Sequence, residues 1–273
     1  NRIYKLYDII LELTENITKF NFRNKVGKDS SNGLIGPAWL MEGLISANRA
    51  TSDSAFKKSA IKAYKQCHYD AQNMVWLFLD DNDNYVVDPT FNHQLWFATQ
   101  AVKLDLKEGM RFVEHFLPKI KIDDGIIFHL TPLIIRFSKE GLKQKVRYYK
   151  YKKSLESKSV SYNAFNLLAL CACYLHNPGS NVWSGHNFRK LQDVEFTEQM
   201  KNTLLQSDYG YKYNPQAPAY LLFGHLFNEK LAKEYEAMHA SAFLDFITHE
   251  INNLDILLKI RNYEYIELLE PLD

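Results

Sequence analysis

The sequence predicts an all-α fold whose helices pair into a curved or closed array, with one minor β-hairpin. Three observations predict it. Apolar residues recur at spacings of three and four almost throughout; the segments between them are short and carry Gly, Pro, Asn and Asp; and several helix starts repeat one pattern of small, aromatic and polar side chains.

Taken in order, the helical spacing fills residues 3–17, 34–47, 56–69, 95–106 and 110–117, and then 160–175, 188–205, 220–227 and 231–251. The breaks fall at 28–36, 80–89, 177–185 and 209–218. Connections this short favour antiparallel neighbours, hence helical hairpins. None is long enough to serve as a linker between domains, so residues 1–273 are expected to form a single domain. The least helical region is 119–131, where Ile120, Ile122, Ile126, Ile127 and Phe128 surround Asp123, Asp124 and Gly125. An Asp-Gly pair between β-branched residues predicts a hairpin turn.

Composition narrows the function classes. With 33 basic and 32 acidic residues in 273, the net charge of +1 supplies no general attraction to nucleic acid or to an anionic membrane. The lysine-rich stretch 143–158, interleaved with Tyr148, Tyr149 and Tyr151, has no recognition motif and is expected to be a solvated helix face. Apolar runs are broken by Asn, His, Lys or Asp before they reach a bilayer's width, so no transmembrane helix is expected. Cys67, Cys171 and Cys173 cannot all pair and lack metal-finger spacing, which predicts buried thiols and a reducing, cytoplasmic compartment. The chain begins at Asn1 rather than Met, which leaves a removed signal peptide open. Aromatic residues make 14%, a supply suited both to large helical cores and to stacking faces for sugars.

Four clusters open or precede helices. They are Asn32, Gly33, Gly36, Pro37, Trp39 and Glu42; then Asp88, Pro89, Asn92, His93 and Trp96; then Ser161, Tyr162, Asn163 and Asn166; then Tyr211, Tyr213, Asn214, Pro215 and Gln216. If alternate helices form an inner ring, all four gather around one opening, as in architectures that bury their core by stacking hairpins.

Within Asp88-Pro-Thr-Phe-Asn-His-Gln-Leu-Trp-Phe-Ala98, Pro89 and Thr90 open a helix, so Asn92 and His93 fall in its first turn. Asn92 and Trp96 are four apart and share a face. The run Asn92-His93-x-x-Trp96 resembles the Asn-Asn-His-x-x-Trp motif of alginate lyases with an (α/α) toroid fold. The inner-helix starts are similar to those of toroidal carbohydrate enzymes more broadly, six-hairpin glycosidases included.

The resemblance implies an (α/α) toroid or incomplete toroid acting on a polysaccharide or oligosaccharide, by β-elimination at a uronate or by hydrolysis of a glycosidic bond. It implies that Asn92 and His93 neutralise the uronate carboxylate while a tyrosine moves the proton. That division is chemically sound, because a proton beside a carboxylate is barely acidic until hydrogen bonds stabilise the developing enolate charge. Tyr213 is the first choice of base, with Tyr211 and Tyr162 close behind, and Arg189 or protonated His186 could depress its pKa. Trp39, Glu42 and Trp96 join the substrate-binding set. Phe91 stands where the lyases carry their first Asn. Hydrolysis would instead need two carboxyl groups, for which Glu42 and Asp88 are the candidates, with Asp208 in reserve.

Other chemistries lack their signatures. Ser184 and His186 lie two apart with no nucleophile elbow, Asp81, Asn82 and Asp83 lack the glutamate that closes a calcium loop, and no glycine-rich phosphate loop occurs. No metal and no cofactor are implied. The competing class is a non-catalytic helical-repeat protein that binds a partner along a concave face.

Overall fold

The computed structural model describes residues 26–132, 139–193 and 216–234, together with 8, 9, 12 and 22–24. The chain divides into two compact units, Asn1–His115 and Phe116–Asp273. Both are mostly helical among the described residues, each with a small antiparallel sheet.

The first unit opens with helices α1 (Ile35–Thr51) and α2 (Ser54–Lys65). Their link is minimal. Ser52 turns the chain in the left-handed region (φ 58°) with its N–H on the Asn48 carbonyl, and Asp53 caps α2 by accepting the Ala55 N–H at 2.9 Å. So short a link sets the helices side by side, and they bury Met41, Leu44 and Ile45 from α1 with Phe56, Ala60 and Ala63 from α2.

The helical spacing through residues 56–69 stops early, at Lys65, and a three-stranded meander follows: β1 (His68–Asp70), β2 (Val75–Leu79) and β3 (Tyr85–Val87), with β2 central. Two Asp-built turns make it. Asp70 accepts the Gln72 and Asn73 N–H groups, and Asp80 accepts those of Asn82 and Asn84. The break expected across 80–89 thus contains a strand.

Helix α3 (Phe91–Lys103) is the centre of this unit, buried at 11 of its 13 positions. Gln94, wholly buried, ties it to β2: its Oε1 accepts the Trp76 N–H at 3.0 Å, and its Nε2 donates to the carbonyls of Trp76 and Asp88 at 2.9 and 3.0 Å. Helix α4 (Lys107–Phe116) approaches so closely that a side chain at Gly109 would come within 2.6 Å of the Ala98 carbonyl.

In the second unit the expected hairpin is present, with β4 (Ile122–Asp123) antiparallel to β5 (Ile126–Ile127). Asp124 and Gly125 form its two-residue loop, both at positive φ (46° and 70°), the combination that suits the twist of a tight hairpin. Helix α5 (Lys139–His176) is two helical segments joined at a kink on Tyr151 (φ −118°, ψ 19°). Its second segment carries a buried face through Leu167, Leu168, Leu170 and Cys171 and packs on α7 (Gln216–Phe227).

A 3-10 turn (Asn181–Ser184) and short α6 (His186–Gln192) stand between α5 and the 216–234 stretch in the chain. Trp183, Phe188, Phe223 and Phe227 meet there largely edge-on. Cys67, Cys171 and Cys173 are buried. No described helix is long and apolar enough to cross a membrane.

Candidate functional site in the first unit

Two of the four clusters meet in the first unit, and Asp88 is where they join. Its side chain is 5% exposed, and every oxygen is engaged. Oδ1 accepts the Thr90 N–H at 3.0 Å, which caps the start of α3. Oδ2 accepts the Leu34 N–H at 3.0 Å, directly before α1, and lies 2.7 Å from His93 Nδ1. One carboxylate therefore sits at the N-terminal ends of two helices, where backbone N–H groups and the helix dipoles both favour negative charge.

The energetics agree with that placement. Burial alone would raise the Asp88 carboxyl, but the charge and hydrogen bond of His93 and the N–H groups of Leu34 and Thr90 outweigh it and hold the group below the ordinary carboxylate range. An ionised carboxylate only accepts, so the proton of the pair lies on His93 Nδ1. Nε2 is left as the ring's free functional nitrogen, on a side chain 23% exposed.

The approach of the two clusters demands glycine. Gly33 has φ +62°, and a Cβ there would stand 2.1 Å from Asp88 Oδ2 and 3.3 Å from His93 Nδ1. A second link joins the same helices: the Trp96 indole donates to Glu42 Oε2 at 2.7 Å. Trp96 is only 2% exposed, so it holds Glu42 and offers no ring face for stacking, whereas Trp39, one turn before Glu42 on α1, is 40% exposed. Asn92, beside His93, is buried with its Oδ1 unpaired, and Gln100, two turns further along α3, has neither amide atom paired. An unpaired buried amide is costly and calls for a partner such as water or a ligand.

The remaining predicted residues belong to the second unit. Tyr162 belongs to the second unit, where its ring stacks on His129 at 5.6 Å. His186 is exposed at the first position of α6, and Arg189 spends its guanidinium on the Ser184 carbonyl at 2.8 and 3.0 Å. Tyr211 and Tyr213 lie outside the described residues, as does Asp208. Among the described residues, no group of three or more His, Cys, Asp or Glu gathers to hold a metal.

Sequence reasoning missed Arg23 and Asp29. Arg23 donates to the Asp29 carboxylate at 2.5 Å and to Asn32 Oδ1 at 2.5 Å, while Asp29 Oδ1 accepts the Gly33 N–H at 2.7 Å. The only signal was the density of small and polar residues between 27 and 33, which reads as an ordinary loop.

Among known proteins, the chain is similar to the Archaeal glycosylation protein Q of Haloferax volcanii, 26% identical over 220 residues. The match covers 72% of this chain and 59% of that protein, so the chain spans less than two thirds of the relative's length. No family model matches the chain, and no solved structure matches it.

Proposed function

We propose that the protein acts on a carbohydrate, with a carboxylate-binding centre at Asn92 and His93 oriented by Asp88, and that its reaction is β-elimination at a uronate residue of a polysaccharide or oligosaccharide. The observation that carries this reading is the 2.7 Å bond from His93 Nδ1 to a buried, ionised Asp88, which fixes the imidazole's tautomer and orientation. The likeness to a protein named for glycosylation supports the carbohydrate part.

His93 Nε2, once protonated, has its charge stabilised by Asp88 and can bind the uronate carboxylate. Asn92, whose buried Oδ1 has no partner, would add its Nδ2 as a donor. Together they would lower the cost of the enolate-like charge that develops when C5 loses its proton. The base is proposed as Tyr213, with Tyr211 and Tyr162 as alternates, and His186 and Arg189 as further substrate ligands. Trp39 and Glu42 would contact neighbouring sugar, in a toroid or incomplete toroid with α3 as an inner helix.

Hydrolysis fits these atoms less well. Asp88 is buried, bonded to Leu34, Thr90 and His93, and held below the ordinary carboxylate range, which suits it to orienting His93 rather than to donating a proton as a general acid.

The test is to incubate the protein with uronate-containing and neutral polysaccharides while following ultraviolet absorbance and reducing ends. New absorbance together with reducing ends, only on uronates, is the expected result, and His93→Ala should lower the rate roughly 100- to 1,000-fold. Reducing ends without absorbance would replace elimination by hydrolysis. No change on any substrate would move the protein to the binding class.

A further inference from the structure

We infer that Asp29, braced by Arg23, is the positioning residue that sets the geometry of the Asp88–His93 pair. The inference rests on the proposed carboxylate-binding role of that pair, but its geometry stands by itself.

Asp29 sits at the middle of a chain of short polar contacts that ends on His93. On one side, Arg23 binds it twice, with Nη2 on the carboxylate at 2.5 Å and Nε on the Asp29 carbonyl at 2.6 Å. The remaining guanidinium nitrogen, Nη1, reaches Asn32 Oδ1 at 2.5 Å. On the other side, Asp29 Oδ1 accepts the Gly33 N–H at 2.7 Å and the Ser31 hydroxyl at 3.0 Å. The next N–H in the chain, that of Leu34, is the one on Asp88 Oδ2.

The backbone makes this a directed linkage. Asn32 and Gly33 are both in the left-handed region (φ 58° and 62°), so consecutive N–H groups turn to different carboxylates: Gly33 to Asp29 and Leu34 to Asp88. Asn tolerates left-handed backbone better than other non-glycine residues but at some cost, so a restraint from its surroundings helps to keep Asn32 there. Arg23 supplies that restraint through the Asn32 side chain, and Asp29 supplies it through the Gly33 N–H. With Asp29 gone, the turn is free to relax, the Leu34 N–H leaves Asp88 Oδ2, and the carboxylate loses the contact that aims it at His93 Nδ1. Arg23 and Asp29 are 28% and 27% exposed, sheltered enough for the pair to persist.

The test reads the His93 Nδ1 proton directly, without a substrate. In nitrogen-15-labelled protein, an imidazole proton shared with a carboxylate resonates far downfield and exchanges slowly. Asp29→Ala should abolish that signal or speed its exchange at least about tenfold, with the helical circular dichroism retained. Arg23→Gln, which removes one brace and keeps Asp29, should speed exchange by a smaller factor and serves if the alanine variant fails to fold. Lys57→Ala, which breaks the exposed 3.1 Å pair with Asp105, should leave the signal unmoved.

An unchanged signal in a folded Asp29→Ala or Arg23→Gln protein overturns the inference and assigns Asp29 to loop stability alone. Absence of activity in the parent protein would sink the proposed reaction and leave this result standing. Where activity is found, Asp29→Ala should lower kcat more than it raises KM, and Asp29→Glu should restore part of the loss.

Discussion

The Trp96 indole N–H donates to Glu42 Oε2 at 2.7 Å, so the largely buried helix α3 is bonded through its middle to α1. A hydrogen bond to a carboxylate contributes about 1.5–3 kcal/mol, more than a neutral one. Trp96→Phe keeps most of the ring volume and deletes the donor. It is expected to destabilise the protein by about 2 kcal/mol in urea unfolding, and Glu42→Gln by less, since the amide oxygen still accepts. The double variant should cost less than the sum of the two, which a double-mutant cycle measures.

Gly33 and Gly27 give a matched pair. Both have positive φ, 62° and 73°, so alanine is strained at either position. At Gly27 a Cβ meets nothing within 4 Å, whereas at Gly33 it meets Asp88 Oδ2 at 2.1 Å. Gly27→Ala should therefore cost only the backbone strain, about 1 kcal/mol, while Gly33→Ala should cost at least about 3 kcal/mol because the Asp88 carboxylate must move as well. Equal costs from chemical denaturation would show that the contact relaxes at no expense.

Asp88 makes a signed prediction about acid. Its folded pKa lies below the unfolded value, near 3.8, so the unfolded chain takes up the proton first as pH falls. The stability it contributes is complete above about pH 3.8 and is lost as pH drops through the depressed folded value. Asp88→Asn removes this dependence and weakens the hydrogen bonds to Leu34, Thr90 and His93, at a cost of roughly 1–3 kcal/mol at neutral pH. Unfolding curves of the two proteins, compared between pH 7 and the acid limit, should converge toward the low end. A constant gap would mean that the carboxyl titrates alike in both states.

The sequence displayed the helices and the Asp124-Gly125 turn because local chemistry decides both. Helical spacing is a property of short windows, and a two-residue loop at positive φ is met by few residue pairs. The meander from His68 to Val87 stayed hidden because Val75-Trp-Leu-Phe-Leu79 is a continuous apolar run, buried at Val75, Trp76 and Phe78, with no alternation to separate strand from helix. At the site, Asn92 and His93 were legible from their place in the first turn. That Asp88 would reach Leu34, 54 residues earlier, was not, since nothing local encodes which N–H groups a buried carboxylate will find. Trp96 shows the same limit: its position on α3 was readable, but its partner Glu42 and its near-complete burial depend on how α1 packs against it.

Asn163 yields the last prediction, for the second unit. It is wholly buried on α5, and its amide grips both ends of the hairpin turn: Oδ1 accepts the Ile127 N–H at 3.0 Å, and Nδ2 donates to the Gly125 carbonyl at 3.1 Å. Nδ2 also lies 3.5 Å from the Tyr220 hydroxyl, whose phenol burial pushes well above its usual range. Asn163→Leu replaces an amide by an apolar group of similar size, so packing is nearly kept while two buried backbone groups lose their partners. Each unsatisfied group costs about 1–3 kcal/mol, and the variant should lose about 2–5 kcal/mol in chemical denaturation. Hydrogen exchange localises the effect. The Ile127 amide should lose protection first, while Ile122, paired with it across the hairpin, follows only if the two strands part. A variant as stable as the parent, with Ile127 still protected, would mean that the hairpin holds to α5 through its isoleucines alone.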